Sequence, residues 1–241
     1  MDGQATIKVV FGQRGSGKST KALSLVREQP RVLIFDTLGH DYSDGVVFYS
    51  LAELRAFWRT VYRGRFRLIY RPGDDPQGEF IEVCKLVYAC GRLTFLVEEV
   101  DLFFRVGRCD PAFTTIITRG RHAHVELIAV TQAPMGFGAL LRSQAHEWFI
   151  FSTREPAHVE YFKHRCPGVP VEWFGGLPKW HYVHYTDGAD TYEVCIDNPQ
   201  TGGTSCKTYN LEFATSLPAP GADAVHRGPL GRVDSDDSSP V

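Results

Sequence analysis

The stretch FGQRGSGKST (residues 11–20) decides how this chain is read. Gly12, Gly17, Lys18 and Ser19 satisfy the pattern G-x-x-x-x-G-K-[ST]. They follow an apolar run, IKVVFG (7–12), and open a helix-like stretch, SGKSTKALSLVREQ (16–29). A glycine-rich turn between strand and helix is the context in which that pattern cradles phosphate. Glycines there permit dihedrals that aim successive backbone N–H groups inward. Lys18 is expected to neutralise the β and γ oxygens, Ser19 to ligate Mg²⁺, and the helix N-terminus to add its positive end. The nucleotide-binding segment is thus Gly12, Gln13, Arg14, Gly15, Ser16, Gly17, Lys18, Ser19 and Thr20.

Outward from this loop, apolar runs recur as RVLIFD (31–36), FRLIY (66–70), LTFLVEEV (93–100), VELIAVTQ (125–132) and EWFIFST (147–153). Continuous apolarity predicts strands covered on both faces, as in a parallel sheet. Between them lie helical patterns, LAELRAFWRTVYRG (51–64), EFIEVCKLVYACGR (79–92) and PAFTTIITRGRHA (111–123), with one more helix in REPAHVEYFKHRC (154–166). The alternation predicts an α/β, three-layer P-loop fold with a mostly parallel central sheet and ligands at the carboxyl ends of its strands. KWHYVHYTD (179–187) and ADTYEVCID (189–197) read as an antiparallel hairpin turning through Asp187 and Gly188. From this we expect one P-loop domain, hairpin included, over 1–197 and a Gly-, Pro- and Ser-rich C-terminal tail over 198–241. The end of that tail, PGADAVHRGPLGRVDSDDSSPV (220–241), is expected to be disordered because few large apolar groups offset its ordering entropy.

Composition fits this picture. With 241 residues, 43% hydrophobic and 22% charged, the chain can bury one sizeable core. Its net charge of −2 demands no polyanionic partner. It hides an acidic end, however: residues 197–241 carry six acids against three bases. No run approaches the roughly 20 apolar residues of a membrane span, and no secretory signal is expected at MDGQATIKVV. The six cysteines, at 84, 90, 109, 166, 195 and 206, make no CxxC or other metal spacing and are expected to be reduced thiols. Among the histidines, H-x-H at 122–124 and H-x-x-H at 181–184 are too loose to predict a metal site.

A phosphate loop that hydrolyses its nucleotide needs acids at a second strand end. LTFLVEEVD supplies Glu98, assigned to the magnesium shell, Glu99, assigned to orienting the attacking water, and Asp101 two positions on. Glutamate stands at 98 where aspartate is usual. TRGRHAHVELIAVTQAPMGFGALLRSQAHEWFIFST (118–153) then places Arg119, Gly120, Arg121 and His122 before a buried strand, Gln132 at its end, and Leu141-Arg142-Ser143-Gln144 before the next.

Taken in this order, the loop, the LVEEVD segment and the Gln132 strand resemble the FtsK–HerA superfamily of P-loop ATPases. Within it, the chain is most like the genome-packaging ATPases of membrane-containing and related double-stranded DNA viruses. The resemblance covers residues 6 to 155. It implies that Gln132 is a polar sensor contacting the γ-phosphate or the attacking water. It also implies an arginine finger reaching a neighbour's nucleotide: Arg142 first, Arg119 and Arg121 as alternatives. A finger supplied in trans implies a homo-oligomeric ring, commonly a hexamer. The implied cofactors are ATP and Mg²⁺, and the implied partners are double-stranded DNA and capsid or portal-vertex proteins. The expected setting is the host cytoplasm, with association with the virion left open. Basic residues facing a central pore would grip DNA phosphates, with Arg63, Arg65 and Arg67, or Arg105 and Arg108, as candidates. Asp36, ending the second strand, resembles an acid found there in relatives and is equally readable as structural. Two other readings stay open: a phage morphogenesis ATPase of the zonula-occludens-toxin type, and a nucleotide-binding structural protein with little turnover.

Overall fold

The computed structural model describes residues 6–39, 41–105 and 108–211. Five runs with near-continuous apolar sequence form the central strands: β1 (Ile7–Phe11), β2 (Arg31–Phe35), β4 (Phe66–Tyr70), β5 (Leu93–Val97) and β8 (Val125–Thr131). With β3 (Val46–Phe48) and β9 (Glu147–Phe151) they pair in parallel, in the order β9-β1-β8-β5-β2-β4-β3. Three antiparallel strands, β10 (His181–Thr186), β11 (Thr191–Asp197) and β12 (Thr204–Asn210), extend this sheet beyond β9 to ten strands. The parallel α/β architecture read from the sequence is the observed one.

Helix α1 (Lys18–Val26) packs Ala22 and Val26 on one face, against Val10, Val32, Ile34, Leu96, Ile128 and Val130. The opposite face carries α2 (Leu51–Val61), α3 (Pro76–Cys90), α4 (Pro111–Arg119), α6 (Pro156–Arg165) and α7 (Val171–Gly176). The short α5 (Ala139–Gln144) leads into β9 and packs Leu141 on that same side. Strand residues alternate between the two cores, with Val9 and Phe11 to one side and Val10 to the other, because successive side chains leave a strand on opposite faces. Helix starts follow local chemistry. Asp75 and Asp110 accept from the backbone N–H groups of Gly78 and Ala112, with Pro76 and Pro111 next in the chain. A two-stranded ribbon, β6 (Phe104–Arg105) and β7 (Arg108–Cys109), stands apart after β5, reached through a 3₁₀ turn over Val100–Phe103.

Two features differ from the sequence reading. The expected hairpin is a three-stranded meander, because β12 pairs along β11 from Thr191↔Asn210 to Asp197↔Thr204. That register sets Cys195 opposite Cys206, at a Cα separation of 4.1 Å, and the two form a disulfide. The expectation of six reduced thiols is therefore corrected; Cys84, Cys90, Cys109 and Cys166 are free. The physical reason is that the pairing is created by a strand whose own pattern is polar. The expected disorder over 220–241 lies outside the described residues. Among the described residues, no helix is long and apolar enough to cross a membrane.

Candidate active site

The loop after β1 opens a cleft of about 510 Å³, lined by Arg14, Gly15, Gly17, Lys18, Ser19 and Thr20. Gly17 sits at φ 117°, in the left-handed region, and a Cβ there would lie 2.6 Å from the Trp180 ring. Only glycine satisfies both demands. The Lys18 Nζ donates to the Gln13 carbonyl at 3.0 Å, which folds the ammonium back over the loop. Burial lowers the Lys18 pKa, opposed by Glu98, Glu99, Asp41 and Asp101. The acids favour its charged form, and an ammonium with reduced hydration gains from an anionic ligand that replaces lost water.

Strand order supplies the opposite wall. β8 lies between β1 and β5, with Phe11 level with Thr131 and Val97 level with Ala129, so Gln132, Glu98 and Glu99 leave adjacent strand tips toward the loop. All three line the same cleft as Lys18. Gln132 Nε2 donates to Glu99 Oε1 at 3.1 Å. Thr131 Oγ1 donates to Asp101 Oδ1 at 2.7 Å, tying the β8 tip to the turn that follows Glu99. Glu99 has φ 46°, an unfavourable region for a side chain of its size, and such outliers cluster at functional positions.

Glu98 is differently placed. It is 1% exposed, and burial pushes its pKa up to about 7; Asp41 adds to the rise, while the Tyr42 and Ser19 hydroxyls and Lys18 oppose it. Tyr42 Oη donates to Glu98 Oε1 in a short hydrogen bond, and Ser19 Oγ donates to Asp41 Oδ2 at 2.7 Å. Ser19, Asp41 and Glu98 therefore present an oxygen-only donor set with two carboxylates, the chemistry a hard divalent cation prefers. Asp36 proves to be a support for this corner. Its Oδ2 accepts from Arg71 Nε at 2.9 Å and its Oδ1 from the Gly39 N–H at 2.9 Å. Arg71 Nη2 in turn donates to the Tyr42 carbonyl at 2.7 Å.

Not every predicted residue meets here. Gly12, Gln13 and Ser16 shape the loop without lining the cleft. Arg119, Arg121 and Arg142 also lie away from its walls. The first two are exposed, and Arg142 Nη1 donates to the Phe137 carbonyl at 2.8 Å. Arg67 is spent inside the fold, on Asp44 and on the carbonyls of Val26 and Arg27 at the end of α1. Asp41, Tyr42, Lys179 and Trp180 are among the lining or supporting residues that escaped the sequence reading. The available signals were a polar cluster just past β2 and the Lys179-Trp180 pair in the turn before β10.

Comparison with known proteins follows this geometry. The DNA packaging ATPase P9 of Enterobacteria phage PRD1 is 23% identical over 202 residues, covering 79% of this chain and 86% of P9. The chain is similar to a viral DNA-packaging ATPase. The genome packaging NTPase B204 of Sulfolobus turreted icosahedral virus 2, solved with sulfate, superposes with a TM-score of 0.65 at 20% identity, covering 80% of this chain and 96% of B204. The same protein with ATP-gammaS gives 0.63 at 20% identity, covering 79% and 96%. These likenesses establish a shared fold over nearly the whole of B204. No protein-family model matches the chain.

Proposed function

We propose that this chain is an ATPase that drives double-stranded DNA into a preformed viral capsid. The observation that carries the reading is the meeting of Lys18, Glu98, Glu99 and Gln132 in one cleft at the tips of β1, β5 and β8. The similarity to P9, whose name states DNA packaging, supplies the work to which hydrolysis is put.

In this reading the loop amides and Lys18 hold the triphosphate, and Lys18 offsets charge growing on the β–γ bridging oxygen. Glu99 accepts a proton from the attacking water, and Gln132, bonded to Glu99, fixes the direction of attack. Ser19 and Glu98, with Asp41 behind them, would hold Mg²⁺, which neutralises phosphate charge when bound. Glu98 must be ionised to do so, and the cation supplies the counter-charge its buried site lacks.

The finger would come from a neighbouring subunit of a ring, commonly a hexamer, because among the described residues no arginine beyond Arg14 lines the cleft. Arg142 is the first choice: its Nη1 anchor to the Phe137 carbonyl orients the guanidinium. Arg119 and Arg121 remain the alternatives. For DNA we favour Arg105 and Arg108. They face each other across β6 and β7, both exposed, on a ribbon joined to Glu99 by one short turn. Like charges directly opposite repel, and a phosphate between them removes the repulsion. The setting is the host cell during particle filling, with capsid or portal-vertex proteins as the receiving partners.

The test is hydrolysis of Mg·ATP with and without double-stranded DNA. Wild type should turn over and be stimulated by DNA; Lys18→Ala should lose turnover while its far-ultraviolet spectrum stays unchanged. Full activity in Lys18→Ala would defeat the proposal.

A further inference from the structure

The cleft has a wall that phosphate chemistry does not use. Lys179 and Trp180 enter it from the segment between α7 and β10, beyond residues 6–155, and stand on the β9 and β10 side of β1. The acidic pair stands on the other side of β1, beyond β8. Trp148 and Trp173 are fully buried and Trp58 is 4% exposed, whereas Trp180 is half-exposed at the cleft.

Its pose is built. Trp180 has φ 70°, a region that bulky residues avoid. Two backbone bonds hold it there: its N–H donates to the Ser16 carbonyl at 3.2 Å and its carbonyl accepts from the Asp197 N–H at 3.0 Å. The indole edge lies over Gly17, so ring and phosphate loop are in contact. Lys179 Nζ is 4.8 Å from the ring centroid.

We propose that Trp180 is the platform for the nucleotide base, stacking on it while the phosphates run along the loop toward Lys18 and Glu99. A triphosphate seated on Gly15 to Ser19, with its γ end at the acids, must direct its ribose and base away from β5, toward the side where Trp180 stands. An aromatic face is the group that binds a heterocycle by stacking. Lys179 Nζ stands over one face of the ring, so the base takes the opposite face. This inference rests on the nucleotide reading above and adds to it the residue that recognises the base.

The experiment uses the full chain with magnesium and two ligands, a non-hydrolysable ATP analogue and inorganic tripolyphosphate, titrated calorimetrically into wild type, Trp180→Ala, Trp180→Phe and Lys18→Ala. Trp180→Ala should bind the analogue roughly tenfold more weakly while keeping tripolyphosphate affinity within about twofold, and Trp180→Phe should recover most of the loss. The analogue should also quench tryptophan emission in wild type and not in Trp180→Phe. Equal affinity of wild type and Trp180→Ala for the analogue would overturn the platform and leave the nucleotide reading standing. An equal loss for both ligands would overturn it too, because Trp180 would then only prop the loop. A wild type that binds neither ligand, matching Lys18→Ala, would overturn both readings.

Discussion

At the scale of single residues, the two neighbouring glutamates are separated by environment. Glu98 is enclosed, with its pKa raised from an ordinary 4.5 to about 7 chiefly by burial, whereas Glu99 is half-buried and shared with Gln132. A carboxyl whose folded pKa is raised gives stability that is complete below the unfolded value and lost as pH climbs through the folded one. In metal-free buffer, wild type should therefore lose up to roughly 3 kcal/mol between about pH 5 and pH 8 that Glu98→Gln does not lose. Denaturant melts of both proteins across that range measure it, and parallel curves would contradict it. Glu99→Gln should behave otherwise: nucleotide affinity retained, kcat down by about 10² to 10⁴, the range for loss of a general base. Single-turnover assays with bound ATP would decide that. Tyr42→Phe removes the hydroxyl on Glu98 and should weaken Mg·ATP binding with little change in global stability. Isothermal titration with and without magnesium tests this, and an unchanged affinity would make the Tyr42 contact idle.

At the scale of elements, the strands that build the site were legible and the edges were not. β1, β2, β5 and β8 are buried on both faces, so their sequences carry the signal of burial directly; the loop pattern and the LVEEVD acids stand at their ends. β3 is three residues long with Val46 exposed, and too short to leave a period. β12 reads TSCKTYN, with Tyr209 alone partly buried, and no pattern announces a strand whose neighbours supply its order. Asp41 and Tyr42 reach Ser19 and Glu98 through a loop held by Arg71, a long-range contact that local sequence does not encode. β12 also carries the test of the corrected cysteine reading. Closing a separation of 11 residues, the Cys195–Cys206 bond should contribute about 3 kcal/mol by chain entropy. Cys206→Ser should lower Tm by several degrees, and a reductant should do the same to wild type and nothing to the variant.

At the scale of the molecule, the proposed ring makes each cleft depend on its neighbour. Arg142→Ala should bind ATP normally and lose about 10³-fold in turnover, as removal of a finger does. Mixing it with Lys18→Ala should restore part of the activity, since a subunit with an intact loop then meets a neighbour with an intact arginine. Activity that stays additive in the mixture would place the finger elsewhere, at Arg119 or Arg121. The last three strands are joined to the nucleotide end by a buried contact. Lys21, on α1, lies 4.9 Å from the Phe149 ring centroid and donates to Tyr182 Oη at 2.7 Å; that hydroxyl donates to Asp197 at 3.2 Å, and Asp197 also accepts from Thr204 at 2.7 Å. A helix that begins at the proposed phosphate loop and is pinned in this way has no slack. Any tilt it makes when the terminal phosphate departs would be carried, without a hinge, to the far border of the sheet, so the meander would serve as the lever arm through which one subunit pushes on whatever it abuts.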